Sequence, residues 1–152
     1  DAVAELAREI WQQHFTPIIG ADQVEYMLNK YQSSKAIASQ LNDGWEYYMA
    51  TRDKEHVGYT GLVPNALEKK MLLSKIYVKS SVRGRGVGNQ ILGFVEETSR
   101  TRGFDTVWLT VNRFNDSTVE WYIRHGFIIV DEVKKDIGGG FFMDDFIMKK
   151  KI

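Results

Sequence analysis

A strand pattern that runs into a glycine-rich turn and then into a helix is the feature that most constrains this chain. Leu72 to Val78 is mostly apolar, which is typical of a strand at the centre of a sheet. Residues 83–88 follow as Arg-Gly-Arg-Gly-Val-Gly, and from Val87 apolar residues recur at helical spacing until Gly103. Another apolar strand, Thr106 to Val111, comes next. This order predicts two parallel strands joined by a crossover helix.

The segments on either side of this unit predict a mixed α/β fold. The spacing is helical up to Leu41 and changes to strand alternation from Trp45. We expect helices over Val3 to His14 behind Asp1, from Asp22 to about Tyr31, over Lys35 to Leu41 and over Ser117 to His125. We expect further strands over Trp45 to Ala50, Val57 to Val63, Phe127 to Val133 and Phe141 to Lys149. Together they predict a mostly antiparallel sheet with a central parallel pair and helices on both faces.

Length and composition predict one domain over residues 1–152. A chain of 152 residues buries roughly 70% of its unfolded surface without disulfide or metal support. The absence of cysteine excludes disulfides and thiolate metal sites, and the three histidines are scattered without metal-site spacing. The 20 basic and 20 acidic side chains balance, which argues against binding nucleic acid by charge. No apolar run is long enough to cross a membrane, so we expect a cytoplasmic protein.

The glycine-rich turn is predicted to bind an anion. Its alternating glycines let several backbone N–H groups converge beside a helix N-terminus, and Arg83 and Arg85 add charges that can pair with phosphate oxygens. A Walker loop is excluded because no Lys-Ser/Thr follows at the required spacing. A dinucleotide loop is disfavoured because Asn89 stands where its third glycine would be. The alternative is a tight turn with solvated arginines.

Two motifs together resemble a known family. The first is Ile76-Tyr77-Val78, followed after three residues by Val82-Arg83-Gly84-Arg85-Gly86-Val87-Gly88. It resembles the pyrophosphate-binding loop Arg/Gln-x-x-Gly-x-Gly/Ala of the GNAT superfamily of acyl-CoA-dependent N-acyltransferases. The second, Asn115-x-x-Thr118-x-x-Trp121-Tyr122-x-x-x-Gly126-Phe127, is similar to that family's Asn-x-x-Ala-x-x-Phe-Tyr-x-x-x-Gly-Phe helix. The chain thus resembles a GNAT N-acetyltransferase, with a sheet whose central parallel pair is splayed around the cofactor.

Other parts of the chain refine this resemblance. Family members usually begin with a strand before the first helix, whereas this sequence begins at the helix. Residues 18–41 and the ending from Gly140 to Lys149 resemble bacterial spermine/spermidine-type acetyltransferases. Homodimers are common among such relatives.

The resemblance implies acetyl-CoA as co-substrate and no metal. Backbone groups of β-strand residues would pair with the pantetheine arm, and the glycine-rich turn would hold the pyrophosphate. The implied cofactor-binding residues are Ile76, Tyr77, Val78, Arg83, Gly84, Arg85, Gly86, Val87, Gly88, Asn89 and Asn115. Asn115 is also placed to cap the helix that follows it.

Tyr122 is the expected general acid. A phenol of pKa about 10 stays protonated at neutral pH, and donating to a thiolate whose acid has a pKa of about 8.5 is uphill by only about 2 kcal/mol. Helical spacing alone would make Tyr122 a core aromatic, but its place in the second motif favours catalysis. Trp121 and Phe127 are expected to be core residues, and His14, His56 and His125 to be structural.

The general base stays open at this stage. Many relatives carry a glutamate on the strand before the glycine-rich turn, but Leu72 to Ile76 contains no carboxylate. Glu68, Glu46 or a chain of water molecules could accept the proton of the amine.

The acceptor is expected to be a small primary amine of polyamine type. Residues 1–50 carry seven acidic and three basic side chains, so an acceptor groove formed there could be acidic. Tyr26, Tyr31, Trp45 and Tyr47 could cover an alkyl chain, or could be ordinary core aromatics. Two other functions stay open: a non-catalytic acyl-CoA sensor, and a protein or peptide N-acetyltransferase.

Overall fold

Six helices and six strands make up the chain in this computed structural model, which describes residues 1–152. The helices are α1 (Ala2–His14), α2 (Thr16–Ile19), α3 (Ala21–Tyr31), α4 (Ser34–Asn42), α5 (Val87–Thr101) and α6 (Asp116–Arg124). The strands are β1 (Glu46–Arg52), β2 (Glu55–Asn65), β3 (Lys70–Val78), β4 (Thr106–Asn112), β5 (Ile128–Gly138) and β6 (Phe141–Lys151). A single 3-10 turn, Ser80–Val82, lies between β3 and the glycine-rich turn.

All six strands form one sheet in the order β1-β2-β3-β4-β6-β5. Neighbouring strands are antiparallel except β3 and β4, which are parallel and joined by α5. The parallel pairing holds only from Lys70–Thr106 to Leu72–Trp108, and beyond it the two strands part. The predicted mixed sheet with a splayed central pair is confirmed.

A bulge in β3 decides which layer each of its side chains faces. Consecutive residues of β2 pair with Leu73 and Lys75, which leaves Ser74 as the extra residue. An extra residue shifts the alternation of side chains by one position. Leu73 therefore packs with the helices on one face of the sheet, whereas Tyr77 packs with those on the other.

Two apolar cores cover the two faces of the sheet, so helices lie on both faces as predicted. The α5–α6 core contains 16 buried residues, among them Ile91, Val95 and Leu109. The α1–α3 core contains 10, among them Ile10 and Val24. Complete burial of each such aliphatic side chain stabilises the fold by about 1.5–3 kcal/mol.

Several predicted boundaries were wrong for local reasons. The second helix begins at Ala21 after Gly20, so Asp22 lies in its first turn and does not cap it. Ser33 caps α4, because its hydroxyl accepts from the backbone N–H of Ala36. Strand β5 continues to Gly138, five residues beyond the predicted end, because its pairing with β6 extends along its whole length.

None of the helices combines the length and the apolar character needed to span a membrane.

Candidate active site

A cavity of about 500 Å³ lies between β3 and β4 where the two strands part. Ser74 and Ile76 from β3, and Thr110 and Asn112 from β4, line its walls. Strand β2 occupies one edge of β3 as far as Val78, but β4 no longer occupies the other. Backbone N–H and C=O groups on that free edge can therefore bind an extended ligand as a further strand would.

The glycine-rich turn closes one end of this cavity. Gly84 and Gly86 have φ angles of 80° and 81°, in the left-handed region that favours glycine. Gly86 precedes the first residue of α5, Val87, so the first N–H groups of this helix have no helical partners. Together with the partial positive charge of the helix end, they form a suitable site for phosphate oxygens.

Arg83 and Asn115, from the two sequence motifs, are joined through His14 of α1. Nη1 of Arg83 donates to Nδ1 of His14 over 3.2 Å, and Nε2 of His14 lies 3.1 Å from Oδ1 of Asn115. Since arginine can only donate, Nδ1 must accept and the histidine proton lies on Nε2. Burial lowers the pKa of His14, with the Arg83 charge acting in the same direction and the Asn115 hydrogen bond opposing. His14 lines the cavity, a role that its place on an apolar helix stripe did not suggest.

The side chain of Asn115 does not cap α6, and the expected capping is wrong. Asn115 occupies the N-cap position, but its side chain makes no capping hydrogen bond. It is only 4% exposed, and its oxygen is in contact with His14 instead. Thr118, one turn further on, also lines the cavity.

Tyr122 lies on α6 with its ring in the α5–α6 core and one side on the cavity. Its ring packs edge-on against Phe127, with ring centroids 5.4 Å apart, so its orientation is fixed. Burial raises the pKa of the Tyr122 phenol well above its usual value, and the group is protonated at neutral pH. The prediction that Phe127 is a core residue is confirmed. Trp121 packs against the same core but also lines the cavity.

Neither glutamate named as a candidate base lines the cavity. Glu46 on β1 accepts two hydrogen bonds from Arg102, each 2.7 Å long, and those bonds lower its pKa. Glu68 is exposed and pairs with Lys70 at 2.5 Å. Neither is therefore placed to accept a proton from an amine inside the cavity.

Asp145 of β6 is a carboxylate that sequence reasoning missed. It lines the cavity, is 5% exposed, and lies in register opposite Asn112 of β4. Burial raises its pKa to about 6, with Asp144 adding repulsion while Arg113 and the Thr110 hydroxyl oppose the shift. Its only sequence signal was a pair of acidic residues between the apolar runs 141–143 and 146–148 of one strand.

The aromatic residues expected to flank the acceptor lie elsewhere. The Tyr26 hydroxyl donates to the backbone oxygen of Ile137, and Tyr47 hydrogen-bonds Gln40 and the buried Lys75. Neither lines the cavity, nor do Tyr31 and Trp45. The aromatic walls are formed instead by Trp11, Phe15 and Tyr77.

Eleven of the twelve predicted site residues line this one cavity, and Arg85 does not. The eleven are Ile76, Tyr77, Val78, Arg83, Gly84, Gly86, Val87, Gly88, Asn89, Asn115 and Tyr122.

A sheet that opens between two parallel strands beside a glycine-rich helix N-terminus is the architecture of an N-acetyltransferase. The model of the acetyltransferase (GNAT) family matches residues 3–127. The chain belongs to the GNAT family of acetyltransferases.

Similar proteins agree with this assignment. An uncharacterized N-acetyltransferase encoded in the pepI 3′ region of Lactobacillus delbrueckii subsp. lactis is 25% identical, over 97% of this chain and 88% of that protein. The fold is similar to that of the PaiA N-acetyltransferase from Thermoplasma acidophilum, solved in complex with coenzyme A, with a TM-score of 0.82, 23% identity, and 99% and 91% of the two chains covered. A GCN5-related N-acetyltransferase from Rhodopseudomonas palustris also gives a TM-score of 0.82, at 18% identity, with 99% and 88% covered.

Proposed function

We propose that this chain transfers the acetyl group of acetyl-CoA directly to a small primary amine, with Tyr122 as general acid. The observation that carries the proposal is the single cavity that contains both the phosphate-type cradle and the Tyr122 side chain. A bound cofactor would supply an activated acyl group, and the residues of the chain would position it and move protons.

The cavity offers binding groups for both the pyrophosphate and the pantetheine arm of coenzyme A. Val87 and Gly88 begin α5 and offer free N–H groups, and Arg83 adds a full positive charge. The free edge of β3 around Ile76 can pair with the amides of a pantetheine arm. The PaiA enzyme of similar fold was solved with coenzyme A, which supports the same ligand class here.

Tyr122 is the proposed proton donor to the leaving sulfur. Its raised pKa makes donation less favourable than for a solvated phenol, but burial of a thiolate beside it would also raise the proton affinity of that thiolate. Burial disfavours both the phenolate of Tyr122 and the thiolate of coenzyme A, so the difference between their proton affinities stays moderate. A tyrosine that served only the core would not need to contact the cavity, whereas Tyr122 lines it.

The presence of Asp145 in the cavity weighs against a non-catalytic sensor. That alternative depended on the absence of a carboxylate near the cofactor, and β6 provides one where β3 does not. The apolar part of the cavity wall, to which Trp11 and Phe15 contribute, favours a small acceptor with an apolar body over a folded protein terminus.

Steady-state acetylation of an amine panel, followed by release of the coenzyme A thiol, tests the proposal. Tyr122→Phe should lower kcat by about 10²- to 10⁴-fold while leaving coenzyme A affinity unchanged, because only the proton donor is lost. Tyr48→Phe is the matched control, since Tyr48 lies on β1 outside the cavity. No turnover of any amine by the parent, or full activity of Tyr122→Phe, would contradict it.

A further inference from the structure

We propose that Asp145 binds the ammonium group of the acceptor and takes its proton, and that the acceptor is an amine with a single positive charge on an apolar body. This inference rests on the proposed function and names the substrate class that the same cavity accepts.

Asp145 is placed where an amine must arrive. It belongs to β6, which pairs with β4 along the part of that strand that no longer pairs with β3. Tyr77 of β3 lines the same cavity as Tyr122 and Asp145, and burial raises the pKa of its phenol, with smaller contributions from those two groups. The proposed proton donor and proton acceptor thus line the same cavity.

The cavity that contains this carboxylate has an apolar part to its wall. Trp11, Phe15 and Met27 are each less than 9% exposed and line the cavity, together with Ile19 and Met143. Trp11 and Phe15 pack with ring centroids 4.4 Å apart, which gives a fixed aromatic surface. Such walls bind an alkyl or aryl chain by burial of its surface.

A second positive charge on the acceptor would have no partner here. None of the seven carboxylates in residues 1–50 lines the cavity, although the charge pattern of that segment suggested an acidic groove. Asp145 is the one carboxylate on the cavity wall, and the cationic Arg83 lies at the other end. Burying an unpaired ammonium costs several kcal/mol, so a polyamine is a poorer fit than a monoamine.

The proposed step balances in atoms and charge. The amine nitrogen forms a bond to the thioester carbonyl carbon and the carbon–sulfur bond breaks. The nitrogen of the ammonium loses two protons: Asp145 accepts the first, and the second replaces the proton that Tyr122 gives to the sulfur. Asp145 then passes its proton to solvent, so one proton is released per turnover and both side chains return to their starting forms. A carboxyl group of pKa about 6 is ionised at neutral pH and can act in this way.

Two substrates that differ by one charge provide the first experiment. We expect the parent enzyme to show a kcat/KM for hexylamine at least about 10-fold above that for hexane-1,6-diamine, because their chains are equal and only the second ammonium differs. Spermidine should be poorer still. A preference for the diamine or for spermidine would overturn the single-charge assignment.

Substitutions at the neighbouring residues Asp144 and Asp145 provide the second experiment. Asp145→Asn should lower kcat/KM for hexylamine by at least about 100-fold, with coenzyme A binding unchanged and partial recovery in Asp145→Glu. Asp144→Asn is the control, because Asp144 pairs with Arg113 at 2.6 Å and does not line the cavity. It should keep activity and move the acid limb of the pH profile, near pH 6 in the parent, to lower pH, since Asp144 raises the pKa of Asp145.

The outcomes separate this inference from the proposed function. A parent that acetylates no amine removes both. If the parent acetylates amines and Asp145→Asn keeps that activity, only the role of Asp145 is removed. The same conclusion follows if the acid limb of the pH profile lies at the same pH in Asp144→Asn as in the parent. A measured loss in Asp145→Asn together with lost coenzyme A binding would make the residue structural and would also overturn the inference.

Discussion

The two ends of the cavity are built by different means. The turn end uses contiguous sequence: a free strand edge, left-handed glycines and a helix N-terminus, with Arg83 as its charged side chain. The opposite end is assembled from three parts that are far apart in the chain: the consecutive helices α1 to α3, strand β3 and strand β6. Backbone geometry defines the first end, and side-chain chemistry defines the second.

This difference explains what each end can do. Backbone N–H groups and a helix dipole recognise phosphate without depending on neighbouring side chains, so one short motif is enough. The acceptor end selects through one buried carboxylate and apolar walls, and its specificity changes with any residue that lines it. The bulge at Ser74 separates the two, because it turns Tyr77 toward the acceptor end and Leu73 toward the α5–α6 core.

The largest effect that would sharpen this comparison is a gain of stability from Asp145→Asn. The pKa of Asp145 is raised from 3.8 to about 6 in the fold, so the native state binds protons more tightly than the unfolded state. The free energy of unfolding then falls as pH rises from 3.8 to about 6. Above that range the total loss reaches about 3 kcal/mol. Asp145→Asn should be more stable than the parent at about pH 8 and equal to it near pH 3.8.

Urea unfolding at the two pH values measures this gain. A buried carboxylate that serves only the fold would show the opposite result, with Asp145→Asn less stable at high pH. Stability gained together with activity lost marks a group retained for function.

A smaller effect is expected from glycines on the two sides of the turn end. A Cβ on Gly58 would lie 2.7 Å from the backbone oxygen of Tyr77, so Gly58→Ala must displace the end of β3. We expect a loss of about 1–3 kcal/mol in the free energy of unfolding and weaker coenzyme A binding. Gly93 of α5 has open space, and Gly93→Ala should stabilise the helix by about 0.5–1 kcal/mol. Equal unfolding free energies for both variants would show that β3 is not tightly held.

Much of the fold and of the turn end could be predicted from sequence, because both depend on local patterns. The strand periodicity and the glycine spacing placed β3, α5 and the cradle without any knowledge of contacts. Asp145 and His14 could not be predicted, since their roles arise from partners distant in the sequence: Arg83 lies 69 positions from His14, and Thr110 lies 35 positions from Asp145. Arg85 illustrates the reverse error, because proximity in a motif did not bring its side chain to the cavity.

The smallest effect concerns His14, the contact between the two ends. His14→Gln should weaken coenzyme A binding by about 10-fold, since it disturbs the hydrogen bonds to Arg83 and Asn115. In the parent, binding should also weaken as pH falls below 6.5, because a protonated ring directs an N–H at Arg83. This pH dependence should be smaller in His14→Gln.

Isothermal titration at about pH 8 and at about pH 5.5 makes the comparison with His56→Gln, whose histidine lies exposed at the β1–β2 hairpin. An identical pH response in His14→Gln and in the parent would show that His14 does not position Arg83.

Coenzyme A binding to Arg83→Glu, measured by titration calorimetry beside Arg100→Glu, tests the central assignment most directly. Arg100 lies exposed near the end of α5, so the change in net charge is the same but the site differs. If the glycine-rich turn binds the pyrophosphate, Arg83→Glu should lose at least about 100-fold in affinity and Arg100→Glu less than about 3-fold. Equal affinity of the two folded variants for coenzyme A would contradict the account.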